Sequence, residues 1–151
     1  MVESRFTVEL VQLADYRFEA HFDNPDLPTL VTDEPPPLGG DAGPNPERLL
    51  GTAVANCLAA SLLFSMRKFK NRPEPLRAVA TVEVVRNAQN RLRIGRIGVD
   101  LHVGAAAAEI KSLDRVLGQF EEFCIVTQSV RTGIAVDVRV IDCEGHVMTP
   151  A

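Results

Sequence analysis

Apolar and polar positions alternate in short runs on either side of one long apolar stretch. Residues 16 to 23, YRFEAHFD, place Tyr16, Phe18, Ala20 and Phe22 on one face and Arg17, Glu19, His21 and Asp23 on the other. Residues 5 to 13 alternate more loosely. Two such runs predict a β-hairpin turning near Ala14-Asp15, and residues 27 to 32 predict a third strand. Residues 33 to 45, DEPPPLGGDAGPN, carry too much proline and glycine for a helix or a central strand, so an ordered loop leading into the next element is expected.

The long stretch is residues 45 to 66. Asn45 can cap the first free N–H groups, Pro46 presets φ at the first helical position, and Glu47 suits the positive end of the helix dipole. No charge follows from Leu49 to Met66, and then Arg67, Lys68 and Lys70 stand where cations favour a helix end. The length also fits a membrane span. Thr52, Asn56, Ser61, Ser65 and many alanines make the run small and semi-polar, so the expectation is no membrane contact. It is read as a helix buried on nearly all sides, in a layered core or across a subunit interface.

Beyond it, Leu76, Ala78, Ala80, Val82 and Val84 are in phase along a strand over residues 76 to 86, and residues 87 to 90 form a polar loop. The next strand is in phase at Leu92 and Ile94 but shifts to Ile97, Val99, Leu101 and Val103, which predicts a β-bulge at Gly95 or Arg96. Ile110, Leu113, Leu117 and Phe120 predict a helix over residues 108 to 123. Cys124 follows directly, at the end of that helix or the start of another over CIVTQSVR, and Gly133 closes it. Ile134, Val136, Val138 and Val140 make a last strand, and the tail from Asp142 is expected to be loose. Segregated strands and helices joined by hairpins give an α+β fold with mostly antiparallel sheets around a long central helix, in a single domain over residues 1 to 151.

Composition narrows the function. The chain has 151 residues, 46% hydrophobic and 24% charged, with a net charge of -4, so it carries no basic footprint for nucleic acid. It has no Trp and one Tyr to stack on bases. Three cysteines without a secretory leader pattern argue for reduced thiols and a cytoplasmic location. His21, His102 and His146 lie far apart and no CxxC occurs, so neither a metal site nor a cofactor is expected. Arg86, Arg91, Arg93 and Arg96 gather about one hairpin, as a solvated face or an anion patch. Cys143 falls off the apolar phase of the last strand and is read as incidental.

Cys57, in mid-helix, and Cys124, at a helix boundary, lie in the most apolar parts of the sequence. Position alone leaves two readings open, buried structural thiols or a reactive pair. The run Gly43-Pro44-Asn45-Pro46-Glu47-Arg48-Leu49-Leu50 leading to Ala55-Asn56-Cys57, then Glu122-Phe123-Cys124, Ser129 and Gly133-Ile134, resembles the OsmC/Ohr family of osmotically inducible and organic hydroperoxide resistance proteins. The resemblance covers roughly residues 33 to 140. It implies an intertwined homodimer that reduces organic hydroperoxides, with Cys57 as peroxidatic cysteine, Cys124 as resolving cysteine, and an external dithiol, dihydrolipoamide-like, as reductant.

By the same resemblance Glu47 is the helix-opening glutamate, and Arg17 is the candidate for the arginine that such a thiolate needs. The glycine-rich setting usual around that arginine is missing from DYRFEAHF, and a solvated strand arginine is the other reading. Glu47 and Cys57 are ten residues apart, about 15 Å of helical rise. If both serve one site, Glu47 comes from the partner subunit or the helix breaks near Gly51; otherwise Glu47 is a dipole partner only. The alternative function is a protein of the same fold that senses oxidants or binds a small apolar ligand without fast turnover.

Overall fold

A computed structural model describes residues 1–150, which form two compact units, one over Met1–Leu49 and one from Leu50 onward. In the first unit, β1 (Val8–Ala14), β2 (Arg17–Phe22) and β3 (Leu30–Thr32) make an antiparallel sheet in that order. The hairpin pairs Val8 with Phe22 and Leu10 with Ala20, and it turns at Asp15, which takes a positive φ of 50° that an aspartate tolerates. Every residue of β1 is exposed, Val8, Leu10, Val11 and Leu13 included. The proline-rich loop after β3 is folded tightly on itself. A side chain at Gly43 would overlap the Val31 carbonyl, and one at Gly39 would overlap that of Glu34.

The helix α1 runs unbroken from Pro46 to Lys68, so no break occurs at Gly51. Its start is capped as the sequence predicts, with the Arg48 N–H donating to Asn45 Oδ1 at 3.2 Å. In the second unit, β4 (Arg77–Arg86), β5 (Leu92–His102), β6 (Ala135–Ile141) and β7 (Val147–Met148) form one sheet in chain order. Val54, Leu58, Leu62 and Met66 of α1 bury against Ile97, Val99 and Leu101 of β5 and Val136 and Val140 of β6. Each large side chain so removed from water contributes about 1.5–3 kcal/mol. β5 and β6 are parallel, which requires a crossover, and residues 103 to 134 supply it. The predicted bulge is present. Val84 pairs with Ile94 and Glu83 with Arg96, leaving Gly95 as the extra residue.

Two expectations need correction. Residues 108 to 123 are not one helix: a 3-10 turn at Ala107–Glu109 is followed by α2 (Leu113–Gln119) and a second 3-10 turn at Phe120–Phe123. The break comes from Asn71, whose side chain accepts the Lys111 N–H at 2.7 Å and donates to the Lys111 carbonyl at 2.9 Å, diverting both groups from helical bonding. Ser112 then takes a left-handed φ of 55°. The tail from Asp142 is ordered, because the buried Asp142 carboxylate accepts N–H groups of Ala107, Glu144 and His146 and leads into β7, which pairs with β6. Of the two covers expected for α1, a layered core or a subunit interface, the core within the chain supplies only part. Thr52, Ala53, Asn56, Ala60 and Phe64 are exposed, Phe64 by 67%.

Candidate active site

Cys57 lies one turn after Val54 and next to Leu58 on the half-buried flank of α1, and it packs against the core that encloses Cys124. Cys124 follows the second 3-10 turn and caps α3 (Ile125–Val130), with extended backbone at φ -83° and ψ 96°. Its sulfur accepts the Thr127 N–H at 3.4 Å, and its thiol donates to Thr127 Oγ1 at 3.0 Å. Both Cys124 and Thr127 are fully buried.

Burial pushes the Cys124 thiol above the usual cysteine range, and a hydrogen bond with Cys57 raises it further. The charge of Cys57 acts in the same sense, while the hydroxyl and N–H of Thr127 oppose the rise. Cys57 and Cys124 are both free thiols, 67 positions apart in the chain, and Cys57 lies near enough to bear on the ionisation of Cys124. Exposed Phe123 and Ile125 flank Cys124 in sequence, Ile125 by 80%.

In the first unit Arg17 stands on β2 with its Nε 3.7 Å from Asp33 Oδ2. Asp33 is almost wholly buried and accepts N–H groups from Glu34, Gly40 and Ala42 at 2.9 to 3.1 Å. The Ala42 N–H lowers the Asp33 carboxyl most; burial opposes that, and Gly40, Glu34 and the Arg17 charge reinforce it. A side chain on Gly40 would lie 3.6 Å from the Arg17 Nη2, so the glycines beside this arginine come from the loop after β3 rather than from its own hairpin. Arg17, Asp33, Ala14, Leu38, Gly39 and Gly40 line a hollow of about 320 Å³. Glu47, in the first turn of α1, has one carboxylate oxygen, Oε2, buried without a hydrogen-bond partner.

Sequence reasoning passed over Asp33 and Thr127. Asp33 could have been suspected from an aspartate opening a glycine-rich loop, and Thr127 from its place three residues after a helix-capping Cys124. It weighed His146 only against the other histidines and missed its grouping with Asp142 and Glu144, whose ligand-capable atoms and its own lie within 4.8 Å of one another. The carboxylate of Asp142 is taken up by backbone N–H groups there. Cys143 is exposed, as its phase predicts. Of the arginines around the β4–β5 hairpin, Arg96 is paired with Asp137 at 2.5 Å and Arg86 donates to the Asn90 carbonyl.

The family described as OsmC-like protein matches residues 39–139 of the chain. Among solved structures, an OsmC-like protein of unknown function from Vibrio cholerae superposes with a TM-score of 0.76 at 16% identity, covering 91% of this chain and 99% of that one. An organic hydroperoxide resistance protein OsmC from Legionella pneumophila gives 0.67 at 17% identity, with 93% and 98% covered. The organic hydroperoxide resistance protein OhrB of Bacillus subtilis gives 0.66 at 18% identity, with 89% and 98% covered. No curated protein matches the sequence.

Proposed function

The chain belongs to the OsmC-like protein family, and from that membership and its paired thiols we propose that it is a cysteine-based peroxidase reducing organic hydroperoxides to alcohols. The observation that carries the reading is the packing of Cys57 against the core cluster that contains Cys124, near enough to act on that thiol. The half-buried Cys57 attacks the distal peroxide oxygen as thiolate, the O–O bond breaks, and the alkoxide leaves as alcohol with a proton. Cys124 then attacks the resulting sulfenic acid, releasing water and leaving a disulfide. A cytoplasmic dithiol of the dihydrolipoamide kind returns both sulfurs to thiols.

Arg17 supplies the positive charge that favours a thiolate, and Glu47 holds that arginine. The unpartnered Glu47 oxygen supports a partner from outside the chain, and ten residues of unbroken helix between Glu47 and Cys57 support an active site shared between two copies. A homodimer also accounts for the exposed apolar positions of β1 and of α1 around Phe64. Exposed Phe123 and Ile125 beside Cys124 favour a bulky organic hydroperoxide over hydrogen peroxide.

A second reading is an oxidant sensor, or a binder of a small apolar ligand, without fast turnover. The observation favouring it is the Arg17–Asp33 pair, which draws the candidate cation toward another carboxylate. Consumption of cumene hydroperoxide with excess dithiol separates the two. The peroxidase turns over repeatedly, loses activity in Cys57→Ser, and overoxidises at Cys57 in Cys124→Ser; a Cys57–Cys124 disulfide appears by mass spectrometry after one equivalent. A single slow oxidation of the wild type without turnover overturns the enzyme reading.

A further inference from the structure

Cys124 carries a difficulty that the reaction must resolve. To close a disulfide its sulfur has to attack as thiolate, yet it is fully buried, and an apolar enclosure disfavours the charge. The side chain placed to answer this is Thr127, also fully buried, one turn into α3. Its Oγ1 lies 3.0 Å from the Cys124 sulfur and its backbone N–H reaches the same sulfur at 3.4 Å. A hydroxyl is both acceptor and donor, so it can take the S–H bond of the resting thiol and turn to donate to the thiolate.

We propose that Thr127 is the positioning residue of the resolving step, holding the Cys124 sulfur against Cys57 and presenting its hydroxyl and N–H as the two donors that stabilise the attacking thiolate. The inference rests on the peroxidase reading for its biological context, since the step it serves is capture of a Cys57 sulfenic acid. In that step the S–S bond forms as the S–O bond of Cys57 breaks. Cys124 sulfur is oxidised, Cys57 sulfur is reduced, and the hydroxide leaves with the thiol proton as water. The titratable group bearing on Cys124 from the packed helix α1 is Cys57. From the flanking 3-10 turn and the end of α3, Glu121 and Arg131 are bound to each other at 2.7 Å. Thr127 is thus the side chain on hand to favour ionisation.

The test compares full-length wild type, Thr127→Val, which keeps the shape and removes the hydroxyl, and Thr127→Ser, which restores it. Each reduced protein is mixed with one equivalent of cumene hydroperoxide or, separately, with diamide, and disulfide closure is followed by quench and mass spectrometry across pH. Diamide loads Cys57 by addition of its thiolate across the N=N bond; Cys124 then displaces the hydrazine, so closure is read without peroxide chemistry. Thr127→Val is expected to close about tenfold more slowly with both reagents, the scale of a lost hydrogen bond to a charged group. Its closure profile moves to higher pH, sulfinic acid accumulates under excess hydroperoxide, and Thr127→Ser stays within about twofold of wild type. Closure of Thr127→Val at the wild-type rate and pH profile with diamide, or a Thr127→Ser as slow as Thr127→Val, overturns the proposal. Should Thr127→Val lack the native circular dichroism, Thr127→Ala takes its place in the same comparison. If cumene hydroperoxide fails to oxidise the wild type while the diamide series behaves as stated, the peroxidase reading falls and the role of Thr127 stands.

Discussion

Asp33 and Arg17 form an ion pair at 3.7 Å in which the carboxylate is the buried partner, with 2% of its side chain exposed against 44% for the arginine. Three backbone N–H groups from its own loop already hold Asp33, so the arginine is its least committed contact. An exposed guanidinium at that distance is weakly held and screened by salt. The pair is therefore a loop anchor with an exposed, weakly held cation resting on it, which leaves Arg17 able to serve another anion.

From this, Asp33→Asn is expected to lower the thermal midpoint clearly, because an amide cannot accept all three N–H groups with the same geometry and carries no charge. Arg17→Ala should move the midpoint little while reducing peroxidase activity at least tenfold. Differential scanning calorimetry and hydroperoxide consumption on the two variants check this. A large stability loss in Arg17→Ala with activity preserved contradicts it.

Gly51 gives a second expectation. In an exposed helix, alanine is favoured over glycine by about 1 kcal/mol. Here a side chain on Gly51 would sit 2.7 Å from Val82 Cγ2, so the close approach of α1 to β4 is what requires glycine. Overpacking costs about 1–3 kcal/mol and outweighs the propensity gain. Gly51→Ala is expected to destabilise in urea titration, and adding Val82→Ala should recover part of that loss; additive losses in the double variant would exclude steric contact as the cause.

The legible parts of this fold were those written in local pattern. Alternation along residues 16 to 23 gave β2, the Asn45-Pro46-Glu47 start gave α1, and the phase slip at Gly95 gave the bulge. What the sequence hid was decided by contacts distant along the chain. Asn71 bonds Lys111 forty residues away and breaks a helix whose own apolar spacing is sound. Asp142 orders the tail by reaching back to Ala107. The same holds at the site. Cys57 and Cys124 were identified through a family resemblance, whereas Asp33 and Thr127 act through backbone geometry that residue type alone leaves open.

Asp142 also sets an acid limit. Burial pushes its carboxyl up, but the N–H groups of Ala107 and His146, the His146 ring and the Glu144 N–H together outweigh that and bring it to about 2. A carboxyl depressed in the folded state contributes stability that is present above its unfolded value, ordinarily about 3.9, and is lost as pH falls through the folded value. Asp33 is depressed in the same direction. Stability is therefore expected to fall between about pH 4 and pH 2, and Asp142→Asn should flatten that part of the curve while lowering stability at neutral pH. Chemical denaturation at stepped pH reads both effects. An unchanged slope in Asp142→Asn would assign the acid transition to other carboxylates.

Phe64 offers the sharpest test of assembly. It is 67% exposed on α1, in a shallow trough with Ala60, Leu63, Arg67 and Lys68, one helical face away from the core contacts of Leu62 and Met66. If a second copy covers this face, Phe64 becomes a central apolar anchor, and such anchors are worth about 2 kcal/mol or more when truncated. Phe64→Glu also places a charge in the covered region, so the dimer should weaken by roughly thirtyfold or more. Because the substitution lies on an exposed face, the fold of the isolated chain is expected to survive it. Sedimentation velocity at micromolar concentration should show a dimer for the wild type and mostly monomer for Phe64→Glu, with peroxidase activity falling in parallel if Glu47 acts across the interface. A wild type that sediments as a monomer with full activity would place the whole site within one chain.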